Sequence, residues 1–526
     1  MTTPTNALTN PPADLIAGSA IPLDPAGSDA IVSTAPADPA RVIWQGVPKP
    51  AHVDAAVAAA RDALPAWSRT PLEDRARVLH RVRDIFKARV DDFARLISEE
   101  TGKAYWDAKG EAGILAGKID ITLSTAANAG MSRVTGFESA VNDTKRATCR
   151  FMPHGVMAVI GPFNFPAHLP NGHIIPALAM GNTVVLKPSD KTPAVGQLLG
   201  EIYAEALAAE NAPPGTLSVV QGAADVAQRL TTHADIDGIL FTGSWPVGRR
   251  ILEANLDHPG RIVALEMGGN NPAVIMPDAD LRQAAIECVR CAFITTGQRC
   301  TCTRRVIVHE AVADRVIAAI CKSASTLIVG APDSEHPVFM GPLVTAEARD
   351  AVLVAQAKYA KAGANVLVEA TIPDHLGDGH YVTPSVIQVD RFDRDADDAD
   401  DAGCDAGCDE ETFGPLLRIS IARDLDDAIH QANATRFGLA SSIFSKDQST
   451  IDRFLAEARA GCVNVNTGTA GASSALPFGG LGFSGNHRPA GAFSLDYCAY
   501  PVAGMIESGD AAAIPVGMNF DDSWLQ

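Results

Sequence analysis

The chain is poor in positive charge: 43 lysines and arginines stand against 62 aspartates and glutamates, which gives a formal net charge of −19. A surface this acidic repels nucleic-acid phosphates and anionic lipids, so neither is expected as a partner. That argument does not exclude a small basic pocket. The 526 residues are 47% hydrophobic and 20% charged, which excludes a globally disordered chain. The length allows about three domains of the usual size.

Long apolar runs are absent as well. The N-terminal residues lack a basic stretch followed by an apolar one, so we predict no secretion signal. Residues 151–186 contain no Asp, Glu, Lys or Arg, but Pro, Gly, Asn and His interrupt them too often for a membrane helix. The 10 cysteines are scattered, which excludes a small disulfide scaffold. We expect a soluble cytoplasmic protein with reduced thiols.

The pattern along the chain predicts an α/β protein. Residues 1–41 have no sustained period and are expected to form a loose extension. One helix is predicted near Val53, and a longer one begins with a capping box formed by Thr70 and Glu73 and ends at Gly102. After Gly155, short apolar strands alternate with helices, which predicts a parallel sheet covered on both faces.

An acidic tract at about residues 393–409 is predicted to be a solvated surface insertion. Its two cysteines, Cys404 and Cys408, have no nearby partners with metal-ligand spacing, so they are expected in an exposed loop. We predict no metal site in the chain.

A glycine-bracketed turn follows the apolar strand GILFT and precedes a helix. Glycines there let the backbone approach a phosphate, and the helix N-terminus supplies free N–H groups. Such turns are also common without any ligand, and this one is not the GxGxxG fingerprint. Its residues are Gly243, Ser244, Trp245, Pro246, Val247 and Gly248.

The segment GQRCTC places Cys300 and Cys302 beside glycine and arginine. A cysteine in such a loop is a candidate nucleophile with a lowered pKa. The alternatives are a half-buried structural thiol, a redox pair or a metal ligand, and the spacing does not choose among them.

Two more candidates stand beside glycine or proline. Glu266 lies in LEMGG at the end of a strand, where burial would raise its pKa and suit a general base. Asn164 lies in GPFNFP, where its amide could donate to a developing oxyanion. A turn-capping or ion-paired glutamate and a turn-forming asparagine are the structural alternatives.

In their order along the chain, these motifs resemble those of the aldehyde dehydrogenase superfamily. The resemblance extends over roughly residues 42–505. The matching runs are GPFNFP, KPSDKTP, FTGSWPVG, LEMGGNNP, GQRCTC, EETFGP and PFGGLGFSGNHRP.

The resemblance implies three catalytic roles. Cys300 would attack the aldehyde, while Asn164 and the backbone N–H of Cys300 would hold the oxyanion. Glu266 would activate the water that hydrolyses the resulting thioester. Cys302 would be a bystander.

The resemblance also implies a dinucleotide site, formed by the turn from Gly243 to Gly248 together with Lys187, Asp190, Glu411 and Phe413. Asp190 stands where the family often has a glutamate that binds the ribose hydroxyls. Because its carboxylate would repel a 2′-phosphate, NAD is expected rather than NADP. Trp245 and Pro246 replace small residues usual in the family.

The residues of several motifs most resemble those of the branch of the family that oxidises N-succinyl-L-glutamate 5-semialdehyde in arginine catabolism. These are NFPAHLPNGHIIPAL, LEMGGNNP, GQRCTCTRR and SGNHRPAG followed by DYCAYP. A dianionic substrate needs local positive charge, for which Arg299, His487 and Arg488 are the candidates. The alternative for Arg299 is a structural pair with a nearby acid.

The family architecture implies three parts. An NAD-binding domain would occupy residues 42–267, interrupted by an oligomerisation strand at about 141–152. A catalytic domain would occupy 268–481, and the C-terminal segment 482–526 would carry a second oligomerisation strand. We therefore expect a homodimer or homotetramer.

Two other functions stay open at this point. One is a dehydrogenase for another semialdehyde, such as succinate semialdehyde. The other is a non-enzymatic thiol switch on the same fold that uses Cys300 and Cys302.

Overall fold

Strands and helices alternate along most of the chain, which a computed structural model describes over residues 7–393, 407–509 and 513–526. The strands are β1 (Ala13–Ile16), β2 (Ser19–Pro22), β3 (Ile31–Ala35), β4 (Asp38–Gly46), β5 (Phe137–Ala140), β6 (Lys145–Pro153), β7 (Val156–Ile160), β8 (Thr183–Lys187), β9 (Leu217–Val219), β10 (Gly238–Thr242), β11 (Ile262–Glu266), β12 (Asn271–Ile275), β13 (Thr303–His309), β14 (Asn365–Val368), β15 (Ser385–Gln388), β16 (Leu416–Ala422), β17 (Ala440–Phe444), β18 (Cys462–Val465), β19 (Pro477–Phe478), β20 (Ala490–Gly491) and β21 (Ala499–Glu507).

The helices connect most of these strands. They are α1 (Ala51–Trp67), α2 (Leu72–Ala88), α3 (Val90–Thr101), α4 (Tyr105–Leu123), α5 (His168–Ala179), α6 (Pro193–Ala209), α7 (Ala224–Thr232), α8 (Trp245–Ala254), α9 (Leu281–Phe293), α10 (Ala313–Ser325), α11 (Ala346–Lys361), α12 (Leu425–Asn433) and α13 (Gln448–Glu457). Among the residues described, none of these helices combines the length and hydrophobicity that crossing a membrane requires.

The first large sheet has the strand order β11-β10-β7-β8-β9-β1-β2. Its first five strands are parallel, and β1 and β2 continue it in antiparallel pairing. Every residue of β7, β8 and β10 is buried, as expected for central strands covered on both faces. This is the parallel α/β arrangement that the alternating pattern predicts.

The expectation of a loose extension over residues 1–41 is wrong for the part that the structure describes. Strand β1 pairs with β9 at the edge of the first sheet. Just before it, the backbone N–H groups of Thr9 and Asn10 donate to the carboxylate of Glu201 at 2.8 and 3.1 Å. These pairings lie far apart in the chain, so the local sequence period does not reveal them.

The single helix predicted between Thr70 and Gly102 is two helices. The chain breaks at Arg89 (φ −113°, ψ 23°), between α2 and α3. The predicted capping box is absent, because Pro71 occupies the N-cap position and the Thr70 hydroxyl donates to the Ala66 carbonyl at 3.1 Å. Gly102 ends α3 with a left-handed φ of 77°, as predicted.

The second large sheet has the order β14-β15-β16-β13-β12-β17-β18 and is parallel except for β14. The chain passes from the first sheet to the second between β11 and β12, at residues 267–270. Most of the predicted acidic insertion, with Cys404, lies outside the described residues. Cys408 is buried in the core of this sheet rather than in an exposed loop.

A third, smaller sheet has the order β21-β6-β5 and is antiparallel. It brings residues near the C-terminus beside the segment that directly precedes β7. Large apolar side chains on it are exposed, among them Phe137, Met152, Tyr500, Met505 and Ile506.

Candidate active site

Two cavities meet at Cys300. The wide cavity, of about 1150 Å³, lies at the carboxyl ends of β7, β8 and β10, where ligands bind in open parallel sheets. The narrow cavity, of about 180 Å³, is lined by α4, α5 and the carboxyl ends of β10 and β11. Cys300 and Thr242 line both of them, so a group in one cavity can approach a group in the other at the thiol.

The loop before Cys300 has a backbone conformation that residues other than glycine rarely adopt. Thr295, Thr296 and Gly297 have φ values of 55°, 53° and 73°. The guanidinium of Arg304 donates to the Gly297 carbonyl at 2.6 Å and to the Gly414 carbonyl at 2.9 Å, which fixes the loop from behind. Strain of this kind is maintained at functional sites by the surrounding contacts.

Asn271 fixes the far side of the same loop. Its side-chain amide donates to the carbonyls of Cys300 at 2.7 Å and Cys302 at 2.8 Å. Cys302 is fully buried and lines neither cavity. Of the two neighbouring thiols, only that of Cys300 is therefore accessible from the cavities.

The Cys300 thiol is protonated at neutral pH in the free protein. Burial, with smaller contributions from the carboxylates of Glu411 and Glu266, raises its pKa to about 12. The lowered pKa expected beside Arg299 is wrong, because burial dominates and Arg299 is paired with Asp107 at 2.6 Å. A nucleophilic Cys300 therefore needs a base to take its proton.

Glu266 ends β11 and lines the narrow cavity with Cys300. Burial raises its pKa well above the usual value, and the backbone N–H of Ala490 opposes that shift. One of its carboxyl oxygens, Oε2, has no hydrogen-bond partner among the described residues. A carboxyl group in this state accepts a proton near neutral pH more readily than an ordinary glutamate.

Asn164 lines the wide cavity beside Cys300. Its amide nitrogen donates to the Gln298 carbonyl at 3.0 Å, and its oxygen accepts from the Phe165 N–H at 3.1 Å. These bonds fix the orientation of the amide and leave it a second N–H.

The residues predicted for a dinucleotide line the wide cavity, with one exception. Those that line it are Lys187, Asp190, Gly243, Ser244, Trp245, Pro246, Val247, Glu411 and Phe413. Gly248 does not line it, since it is buried where a Cβ would overlap the Met267 sulfur. Gly248 therefore permits α8 to pack closely on the sheet instead of contacting a ligand.

The wide cavity fits a nicotinamide dinucleotide in size and in chemistry. The N-terminus of the ten-residue α8 opens onto it, and its N-cap residue, Ser244, makes no side-chain cap. That helix end suits a diphosphate. At Gly268 a Cβ would overlap the carboxylate of Glu411, so glycine leaves room for this side chain beside the cavity.

Trp245 has a partner that its position in the turn did not predict. Its ring stacks on Phe483 with a centroid distance of 4.2 Å and an interplanar angle of 8°. The Arg436 guanidinium also lies over the Phe483 ring, 4.9 Å from its centroid. A stacked aromatic pair therefore replaces the small side chains that the resemblance implies there.

The predicted substrate cations are placed differently from the expectation. Arg299 lines the narrow cavity but forms the structural pair with Asp107 described above, and its Nε donates to Thr295. His487 and Arg488 are exposed and line neither cavity. Among the predicted cations, only Arg299 therefore lies at the wall of a cavity.

Family membership is decided by comparison with known proteins. The model for the aldehyde dehydrogenase family matches residues 24–501. The chain belongs to the aldehyde dehydrogenase family. It is an aldehyde-oxidising oxidoreductase of the family that uses NAD or NADP.

Two relatives show where in the family the chain is similar. The N-succinylglutamate 5-semialdehyde dehydrogenase of Chromobacterium violaceum is 42% identical, over 93% of this chain and 96% of its own length. The N-succinylglutamate 5-semialdehyde dehydrogenase 2 of Caulobacter vibrioides is 43% identical, over 90% and 92%.

Two crystal structures have the same fold. One, of an E. coli NADP dependent enzyme, is 30% identical with a TM-score of 0.85 and covers 96% of this chain and 99% of its own. The lactaldehyde dehydrogenase of Escherichia coli is 27% identical with a TM-score of 0.84, and the match covers 94% and 99%. Both confirm the predicted fold class.

Several residues that fix the site were missed by sequence reasoning. Asn271 stands inside the motif LEMGGNNP, so a signal for it was present. Lys118, Asp107 and Glu111 carry no such signal, because α4 lies outside every motif. Within the described part of the chain, no three His, Cys, Asp or Glu side chains are grouped to hold a metal ion.

Proposed function

We propose that this enzyme oxidises N-succinyl-L-glutamate 5-semialdehyde to N-succinyl-L-glutamate with NAD, in arginine catabolism by the succinyltransferase pathway. The observation that carries the chemistry is Cys300 at the junction of the two cavities, with Glu266 in the narrow one. The choice of substrate rests on the relatives of that name, which match almost the whole chain.

In the first half of the reaction, the Cys300 thiol gives its proton to solvent water in the cavity, and its sulfur bonds to the aldehyde carbon. The oxygen becomes negative and accepts hydrogen bonds from the free N–H of Asn164 and from the backbone N–H of Cys300. When the oxyanion collapses, the carbon loses its hydride and becomes a thioester. A nicotinamide dinucleotide bound in the wide cavity supplies the hydride acceptor.

In the second half, Glu266 takes a proton from water, and the resulting hydroxide attacks the thioester carbon. The C–S bond breaks, the carboxylic acid leaves and the Cys300 thiol is restored. A base with a raised pKa is suited to this step, because it holds the proton at neutral pH and returns it to the leaving sulfur.

NAD is the dinucleotide we propose. Asp190 lines the wide cavity on the side of Lys187 and would repel a 2′-phosphate. Lys191, which pairs with Asp190 at 3.0 Å, opposes that effect only in part, since the pair is partly exposed. Lys187 is buried, which lowers its pKa to about 8, and we assign it with Glu411 to the ribose hydroxyls.

We further propose a homodimer or homotetramer in the cytoplasm. The exposed apolar side chains of the β21-β6-β5 sheet favour an arrangement in which a second copy of the chain covers this sheet. Among the described residues, eight cysteines including Cys300 are free and Cys408 is disulfide-bonded, and the predominance of free thiols favours a reducing compartment.

The test is NADH formation with N-succinyl-L-glutamate 5-semialdehyde and with succinate semialdehyde, using Cys300→Ala as the blank. We expect a kcat/KM at least tenfold higher for the succinylated substrate, and no activity in the variant. A preference for succinate semialdehyde would keep the chemistry and overturn the substrate. Inactivity with every aldehyde would favour the thiol switch.

A further inference from the structure

Lys118 lies in the wall of the narrow cavity, and burial lowers the pKa of its ammonium group to about 8, which leaves it mostly charged at pH 7. It lies on α4, is 2% exposed and lines the cavity with Glu266 and Cys300. Its Nζ donates to the Gly491 carbonyl at 2.6 Å and to the Ser494 hydroxyl at 3.2 Å. An ammonium group has three N–H donors, so these two neutral acceptors leave one of them available.

The other basic groups around this cavity are already neutralised or uncharged. Arg299 is paired with Asp107 at 2.6 Å. Burial lowers the pKa of His168 to about 4 and that of His173 to about 3, so both rings are neutral at pH 7. Among the described residues, Lys118 is the cation lining the cavity that forms no ion pair.

The acceptors of Lys118 are fixed before any ligand binds. Gly491 has a left-handed φ of 68°, and the Ser494 hydroxyl donates to its carbonyl at 2.9 Å. At Gly491 a Cβ would overlap the Leu476 carbonyl, which restricts this position to glycine. The ammonium is therefore held in one place in the wall, as a binding group requires.

A buried charge without a counter-ion is unfavourable unless a ligand supplies one. We propose that Lys118 binds a carboxylate of the dianionic substrate and so determines the preference for acidic aldehydes. This inference rests on the proposed function, because it assigns a recognition group for that substrate. It replaces the earlier candidates: Arg299 is occupied by Asp107, while His487 and Arg488 lie outside the cavity.

The test compares Lys118→Met, Lys118→Arg and the control Arg488→Ala on two substrates, N-succinyl-L-glutamate 5-semialdehyde and uncharged hexanal. A charge-assisted hydrogen bond in a buried site corresponds to roughly 10- to 100-fold in affinity. We expect Lys118→Met to lower kcat/KM for the acidic substrate about 50-fold, mainly through KM. The decrease in kcat/KM for hexanal should be at least tenfold smaller. Arg488→Ala should behave as wild type.

The conservative variant Lys118→Arg distinguishes the loss of the charge from the loss of the fold. Lys118→Arg keeps the positive charge, so we expect it to recover most of the preference for the acidic substrate even where its stability falls. Equal losses for both substrates in Lys118→Met, or no recovery in a folded Lys118→Arg, would overturn the assignment.

Failure of the proposed function gives a different result. In that case the wild-type enzyme itself does not prefer the succinylated substrate to succinate semialdehyde. The variants are then compared on succinate semialdehyde and butanal. A selective loss for the acid would support a carboxylate site at Lys118, and equal losses would overturn it.

Discussion

The Cys300 thiol sits in surroundings that disfavour its thiolate. Burial is the largest effect, and two carboxylates, Glu411 and Glu266, add to it. A nucleophile in this state is inactive until a base and a bound substrate are present, which limits side reactions of the thiol.

This environment predicts a steep pH dependence for alkylation of Cys300. Because its pKa is raised to about 12, the thiol stays protonated at neutral pH, and the thiolate fraction grows tenfold for each pH unit below that value. We expect the logarithm of the rate constant for labelling by iodoacetamide in the free enzyme to rise with pH, with a slope near one from pH 6 to pH 9. Mass spectrometry of the labelled peptide measures it, with Cys300→Ala as the control. A plateau below pH 8 would contradict the raised pKa.

Asp190 provides a second test at the same scale. Replacing its carboxylate with a hydroxyl, in Asp190→Ser, removes the repulsion of a 2′-phosphate and leaves Lys191 to attract it. We expect the ratio of kcat/KM for NAD over NADP to fall at least tenfold. Asp452→Ser, which removes an exposed carboxylate on α13 that does not line the wide cavity, serves as the control. An unchanged ratio in Asp190→Ser would remove Asp190 from cofactor selection.

The motifs could predict the residues that act on the aldehyde group but not those that recognise the rest of the substrate. Cys300, Glu266 and Asn164 lie in short motifs, and the structure brings all three to the two cavities. His487 and Arg488 also lie in a motif, yet they point to solvent. Which side of a loop faces a cavity depends on packing against distant residues, and no local pattern records it.

At the scale of elements, α4 organises the narrow cavity from outside the motifs. Asp107, Glu111 and Lys118 are all nearly fully buried on it. Spacings of four and seven residues place them along one face of the helix. Asp107 binds Arg299, Glu111 binds the start of α5, and Lys118 lines the cavity itself.

Glu111 is the member of this face whose loss should destabilise the fold most. Its carboxylate pairs with buried Lys103 at 2.5 Å and accepts from the N–H groups of Ala167 and His168, both at 3.1 Å. Glu111→Gln removes the counter-ion of the buried Lys103 ammonium. We expect a loss of about 3–5 kcal/mol in the free energy of unfolding, measured by urea denaturation.

The matched control for Glu111→Gln is Arg453→Ala, which breaks exposed ion pairs with Asp426 and Glu457. Its unfolding transition should coincide with that of the wild type, because exposed pairs are screened by solvent. If both variants have the same midpoint of urea denaturation, the buried pair does not contribute the stability assigned to it.

Elements with a strong period were predictable, and those that depend on distant contacts were not. Strands β7, β8 and β10 are apolar throughout and were expected as buried strands. The break at Arg89 was not expected, because the helical period continues across it; the Arg89 guanidinium instead donates to Ala7, far away in the chain. Strand β1 escaped prediction for the same reason.

At the scale of the whole molecule, the arm formed by β21, β6 and β5 predicts self-association. Native mass spectrometry should give two or four times the chain mass of 55.0 kDa. Replacing exposed Met505 and Ile506 with lysines should shift the population toward the single chain, because charge on a covered edge is unfavourable. Leu256→Lys, at a more exposed apolar position away from the arm, should leave the mass of the assembly unchanged. A monomeric wild type would contradict the proposal.

The central claim is that Cys300 carries the acyl group and Glu266 releases it. The most direct measurement is the mass of Glu266→Gln enzyme mixed with NAD and N-succinyl-L-glutamate 5-semialdehyde. The account predicts one N-succinylglutamyl group per chain, assigned by fragmentation to Cys300 and not to Cys302, while the wild-type enzyme turns over without accumulating it. An unmodified chain, or a group on Cys302, would contradict the account.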